Sequence, residues 1–113
     1  MKNIIILVLF IVPLSSMAQT NQEKSSKYLA ERLRDSLSLT EKEYQELFKI
    51  NLILEEQKKN ARSMNEDILI KTKKVQKIEN SRDSLYAIIL NQKQLEVYKH
   101  RKSSLLNVIM PNK

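Results

Sequence analysis

Leu39-Thr40-Glu41-Lys42-Glu43 and Leu90-Asn91-Gln92-Lys93-Gln94 carry one pattern twice, about fifty residues apart. Each sets a leucine before a short polar residue, and a Glu or Gln three positions after that residue. This is a capping box. The Thr or Asn side chain accepts from the backbone N–H at N3, and the N3 side chain accepts from the cap's own N–H. Helix starts are therefore predicted at Thr40 and Asn91, with Glu43 and Gln94 as their N3 partners.

The rest of the chain agrees with a helical reading. It has no glycine and two prolines, of which only Pro111 follows the N-terminal segment. Hairpin strands need Asn-Gly, Asp-Gly or similar turns, and none is present. Leu, Lys, Glu, Gln and Arg dominate, and all are good helix formers. The predicted fold is all-α, with about four helices. The first covers residues 22–37, with Leu29, Leu33 and Leu37 on one face. The second runs from the Thr40 cap to about residue 60. Its stripe of Tyr44, Leu47 and Phe48, widened by Ile50, Ile53 and Leu54, predicts a largely covered helix.

The third is predicted as the longest, residues 63–90, opening at a Ser63-Met64-Asn65-Glu66 capping box. Met64, Ile68, Lys71, Val75, Ile78, Arg82, Leu85 and Ile89 alternate steps of four and three, a left-handed antiparallel seam. At 1.5 Å per residue it would be roughly 40 Å long, which implies an elongated helical hairpin with one long central helix. Asn60, Ser63 and Asn65 are poor interior residues and good caps, so a turn is favoured there over a continuous helix. The fourth helix runs from the Asn91 cap to about residue 108, with Leu95, Tyr98, Leu105 and Ile109 inward.

The first eighteen residues read as a secretory signal. Lys2 leads an apolar stretch over residues 4–14, and Ser16-Met17-Ala18 ends in a small-x-small pattern. The stretch is too short to span a bilayer, which needs about 20 apolar residues. Cleavage after Ala18 leaves residues 19–113 as one domain with no integral anchor, in a periplasmic location. Cysteine is absent, so an exported form has no disulfides and depends on helix packing or pairing with a second copy. Net charge is +7, and removal of Lys2 lowers it by one. Such a surface favours anionic partners, and export argues against nucleic acid.

No catalytic constellation emerges. The single histidine, His100, has no companion ligands, so neither a metal site nor a cofactor is expected. A chain without glycine has no phosphate loop. The adjacent carboxylates Glu55-Glu56 and Glu66-Asp67 do not share a helix face and read as solvated surface. Tyr28, Tyr44, Phe48, Tyr86 and Tyr98 read as core or rim positions. The chain is expected not to be an enzyme.

The sharpest charge feature is the run Lys71-Thr72-Lys73-Lys74-Val75-Gln76-Lys77. Lys71 with Lys74, and Lys73 with Lys77, line up along a helix. Lys71 and Arg82 occupy seam positions from which long cations can snorkel outward. Two readings are open: a solvated helix face, or a mixed apolar and cationic surface presented to a partner by Lys71, Lys73, Lys74, Lys77 and Arg82.

The paired motifs resemble the LTxxQ motifs of the Spy/CpxP family of small periplasmic helical proteins. Leu39, Thr40 and Glu43, and Leu90, Asn91 and Gln94, take the Leu, Thr and Gln positions; Glu43 and Asn91 depart from the family pattern but keep the capping chemistry. The resemblance implies a cradle-shaped antiparallel homodimer. Its basic, partly apolar surface would bind unfolded or partly folded envelope proteins without ATP. It also implies an alternative, regulatory binding of one envelope stress sensor domain.

Overall fold

The computed structural model describes residues 20–107; the expected signal segment, Ile109 and Pro111 lie outside them. Four helices follow one another: α1 (Asn21–Leu37), α2 (Glu41–Arg62), α3 (Ile68–Ile89) and α4 (Gln92–Leu106). Among the described residues there is no strand. None of the described helices is long and apolar enough to cross a membrane.

Three of the four starts are complete capping boxes. At α2, Glu43 N–H donates to Thr40 Oγ1 at 3.1 Å and Thr40 N–H to Glu43 Oε1 at 2.9 Å. At α4, Gln94 N–H donates to Asn91 Oδ1 at 2.8 Å and Asn91 N–H to Gln94 Oε1 at 2.9 Å. The third box was not anticipated: Thr20 and Glu23 exchange the same two bonds at the start of α1, both at 3.0 Å. The signal was present in Thr20-Asn21-Gln22-Glu23, which lacks the preceding leucine that drew attention to the other two.

The helix ends are handled without glycine. Ser38 closes α1 in the left-handed region at φ 55°, the only positive φ among the described residues. Its N–H and that of Leu39 both reach the Arg34 carbonyl. This lets the chain turn back into α2 within three residues.

α1 packs on α2, α2 on α3, and α4 returns to α1. The apolar core sits where these contacts converge. Leu29, Leu33 and Leu37 of α1 meet Tyr44 and Leu47 of α2, Tyr86 of α3, and Tyr98, Leu105 and Leu106 of α4. Leu39 and Leu90, the leucines of the two motifs, are buried in the same cluster. Each fully buried leucine of this kind contributes about 1.5–3 kcal/mol. The Tyr86 and Tyr98 rings lie 5.1 Å apart, tilted at 58°.

Several expectations are corrected. The third helix does not begin at residue 63, and at 22 residues it equals α2 in length. Ser63 is the C-cap of α2, its Oγ donating to the Lys59 carbonyl at 2.9 Å. A serine placed after a full helical turn finds free carbonyls behind it, and here these win over the N–H groups ahead. α3 starts at an Asp67 cap that makes no side-chain bond, so the capping box at residues 63–66 is not formed. The Cα extents of 43, 41 and 26 Å describe a flat body in place of a long hairpin. The second helix, expected to be largely covered, leaves Ile53 of its apolar stripe more than half exposed.

The seam on α3 is also displaced. Met64 and Ile68 are exposed, and Val75, Ile78, Leu85 and Ile89 are half-buried. The buried line is Glu79, Arg82 and Tyr86. α3 thus turns a mostly polar edge toward α2.

Candidate functional site

The two motifs, far apart in sequence, meet in space. Gln94 Nε2 donates to Glu43 Oε1 at 3.2 Å and lies 3.4 Å from the Leu37 carbonyl. The N3 residue of one box therefore bonds the N3 residue of the other, at the end of the bundle where α1 hands over to α2 and α3 to α4. The Thr40 N–H, with a smaller contribution from Gln94, holds the Glu43 carboxyl below its ordinary value. Here Leu39, Thr40, Glu43, Leu90, Asn91 and Gln94 act as one structural junction.

Moving away from this junction along the antiparallel α2–α3 pair, the apolar core gives way to a buried polar lock. Arg82 is fully buried. Its Nε and Nη2 donate to the two Glu79 oxygens at 2.6 and 3.1 Å. Its Nη1 donates to Asn51 Oδ1 at 2.7 Å and to Tyr86 Oη at 2.9 Å. The Tyr86 hydroxyl donates to Asn51 Oδ1, and Asn51 Nδ2 donates to the Ser26 carbonyl of α1 at 3.1 Å. Lys58 Nζ lies 2.7 Å from Glu79 Oε1 and 2.9 Å from Glu55 Oε2. Two cations and two carboxylates thus balance, which is the condition under which buried charge is tolerated. Burial opposes ionisation of Glu79, but Arg82 and Lys58 outweigh it and hold the carboxyl below its ordinary value. Burial likewise opposes the Arg82 cation, and contacts with Tyr86 and Glu79 hold its pKa above the ordinary one. Burial pushes the Tyr86 hydroxyl up to about 12.

A second polar contact ties α4 to α3. Tyr98 Oη donates to Asp83 at 2.8 Å and Lys102 Nζ lies 2.7 Å from the other Asp83 oxygen.

The lock corrects two sequence readings. Arg82 does not snorkel outward: its guanidinium is fixed by four hydrogen bonds, so it belongs to the scaffold and is removed from the cationic surface. Glu55 is not solvated surface, since it lies against Lys58. Nothing in the sequence singled out Asn51, Lys58 or Glu79. The available signal was the spacing of Glu55 with Lys58 and of Glu79 with Arg82, two opposite-charge pairs three residues apart on neighbouring helices.

Past the lock lies the hairpin tip. Residues 62–70 are all exposed. Four of these nine are large and apolar: Met64, Ile68, Leu69 and Ile70, with Ile68 at 70% and Leu69 at 60% exposure. Two open grooves flank them. One, of about 400 Å³, is lined by Arg62, Ile68, Lys71, Thr72, Val75 and Gln76. The other, of about 390 Å³, includes Ala61, Met64, Lys74, Lys77 and Ile78. Three of the four sequence-selected lysines therefore border apolar grooves, and Lys73 is exposed beside them. Lys74 lies 3.5 Å from Glu66 and 3.6 Å from the Met64 sulfur.

His100 is exposed on α4, and the described residues contain no cluster of three or more metal-ligating side chains. Comparison with protein-family models, with curated proteins and with solved structures finds no match.

Proposed function

We propose that this is a non-enzymatic binding protein of the cell envelope, an ATP-independent holdase for unfolded or partly folded proteins. One observation carries this reading: an exposed apolar tip, bordered by Lys71, Lys73, Lys74 and Lys77, stands on a scaffold closed by buried polar bonds. Exposed apolar patches rimmed by polar residues mark interaction sites. The lysines would draw acidic unfolded segments in, and Met64, Ile68, Leu69 and Ile70 would hold them weakly and without sequence preference. A scaffold held apart from the tip lets clients bind and leave without unfolding it.

The test is aggregation suppression with two or three unrelated clients, without ATP, at low and moderate salt. Suppression of all of them near stoichiometric ratio is the expected result. Reversal of Lys71, Lys73, Lys74 and Lys77 to Glu slows capture and removes its salt dependence. A folded, helical protein that suppresses none of the clients would overturn the holdase reading in favour of a dedicated partner such as a sensor domain.

A further inference from the structure

The tip has a geometry that a partner helix or a flat protein face does not match. Ile68, Leu69 and Ile70 are consecutive on a helix, so they project about 100° apart. They do not form a stripe, which is what a partner helix or a flat protein face requires. All three are nonetheless exposed, at 70%, 60% and 44%, because they occupy the first turn of α3 where the hairpin ends. Met64 adds a fourth apolar side chain from the preceding turn. An end that presents apolar side chains in several directions, with Asn65, Glu66 and Asp67 between Met64 and Ile68, suits a medium that can surround it and take up polar groups at its surface.

The charges next to it point the same way. Arg62, Lys71, Lys73, Lys74 and Lys77 stand against only Glu66 and Asp67 in residues 62–77, and Glu66 is already paired with Lys74. The cations sit behind the apolar end, on the sides of the hairpin, at the level of headgroups if the end enters the acyl boundary. Apolar side chains ahead of a basic collar are the elements of interfacial binding to anionic lipid.

We propose that the α2–α3 tip docks on the surface of an anionic phospholipid bilayer, with Ile68, Leu69 and Ile70 entering the interface and Arg62, Lys71 and Lys73 on the headgroups. The inference goes beyond the holdase reading and does not depend on it. Docked in this way, the scaffold end with its two paired motifs points away from the membrane.

The chain contains no tryptophan, so a single introduced one reports on its own site. Two variants, Leu69→Trp at the tip and Ile88→Trp at an exposed position near the other end of α3, are purified from cells expressing the full chain. Each is titrated with vesicles of phosphatidylcholine alone and of phosphatidylcholine with phosphatidylglycerol. The expected result is a blue shift for Leu69→Trp with the anionic vesicles only, and none for Ile88→Trp. Changing Arg62, Lys71 and Lys73 to Gln in the Leu69→Trp background weakens partitioning by roughly a hundred-fold, at about 1 kcal/mol per cation. No shift at residue 69, equal shifts at both positions, or a shift at residue 69 that appears with an unfolded client protein and not with vesicles would each overturn the proposal. Aggregation suppression is measured without lipid, so failure of either idea is read separately from the other.

Discussion

The two ends of the α2–α3 hairpin are built on opposite terms. At the motif end, every helix terminus finds a side-chain or backbone partner, the two capping boxes bond each other, and Leu39 and Leu90 anchor them in the core. At the tip, the Asp67 cap makes no side-chain bond, nine consecutive residues are exposed, and four of them are large and apolar. Between them lies the lock of Asn51, Lys58, Glu79 and Arg82. A hydrophobic contact there would be tolerant of sliding, whereas the directional cross-helix bonds Arg82–Asn51 and Lys58–Glu79, with the Asn51 bridge to α1, accept one register. The difference teaches that stability and exposure are separated along one pair of helices. The lock lets the tip remain apolar and uncovered without the hairpin slipping to bury it.

That separation can be attacked most strongly at the lock. Arg82→Met leaves Glu79 buried without its main partner and should cost about 3–5 kcal/mol, seen as a lower denaturant midpoint. Leu69→Ser at the tip removes no buried contact and should change stability by no more than about 0.5 kcal/mol. Similar costs for the two would erase the distinction.

Titration sharpens it further. Glu79 and Asp83 are both held below their ordinary values of 4.5 and 3.8. In each case burial opposes ionisation, and the basic partners, with Tyr98 also donating to Asp83, outweigh it. A depressed carboxylate pKa gives stability that is complete above the ordinary value and is lost as pH falls through the folded one. Tyr86 and Tyr98 are shifted up from 10.0 by burial, and Tyr98 also by its bond to Asp83. Their contribution is present below pH 10 and is lost as pH rises past it. Denaturant midpoints should therefore be level between about pH 5 and pH 9 and should fall on both sides. In Arg82→Met the acid limb should be shallower, because Glu79 loses the partner that lowers it and so gives up less stability when it is protonated.

Smaller effects belong to the motif end. Thr40→Ala and Asn91→Ala should each cost about 1 kcal/mol. Because Glu43 and Gln94 touch, the Glu43→Ala and Gln94→Ala changes should be non-additive in a double-mutant cycle; additive values would mean that the two boxes act alone. Smallest of all, Ser38→Gly should stabilise by up to about 1 kcal/mol, since a left-handed backbone costs a non-glycine residue about that much. A loss of stability there would argue against the turn after α1.

The all-helical class and the starts at Thr40 and Asn91 were legible because glycine is absent and capping boxes are local: three or four residues contain the whole signal. The lysine row was legible for the same reason. The beginning of α3 was not, because Ser63 can close one helix or open the next, and the choice depends on which backbone groups the tertiary turn leaves free. Arg82 was misread because periodicity records where a side chain points and not what it meets. Glu79 and Tyr86 lie on α3 itself, but Asn51 comes from α2, thirty-one positions away. A heptad pattern with two cations in it has the same appearance whether those cations escape to water or are satisfied inside. Charge compensation decides between them: Glu79 stands three positions before Arg82, but Glu55 and Lys58 join the pair only once α2 and α3 lie side by side.

The most direct measurement compares capture and stability in one variant. Ile68, Leu69 and Ile70 are changed together to Ser, and both aggregation suppression of unrelated clients and the melting curve are recorded beside the unaltered protein. If the tip is the capture surface and the lock holds the scaffold, suppression is lost while the melting curve stays in place. Undiminished suppression by a folded variant, or a melt that collapses with the substitution, would contradict the division between a rigid scaffold and an open tip.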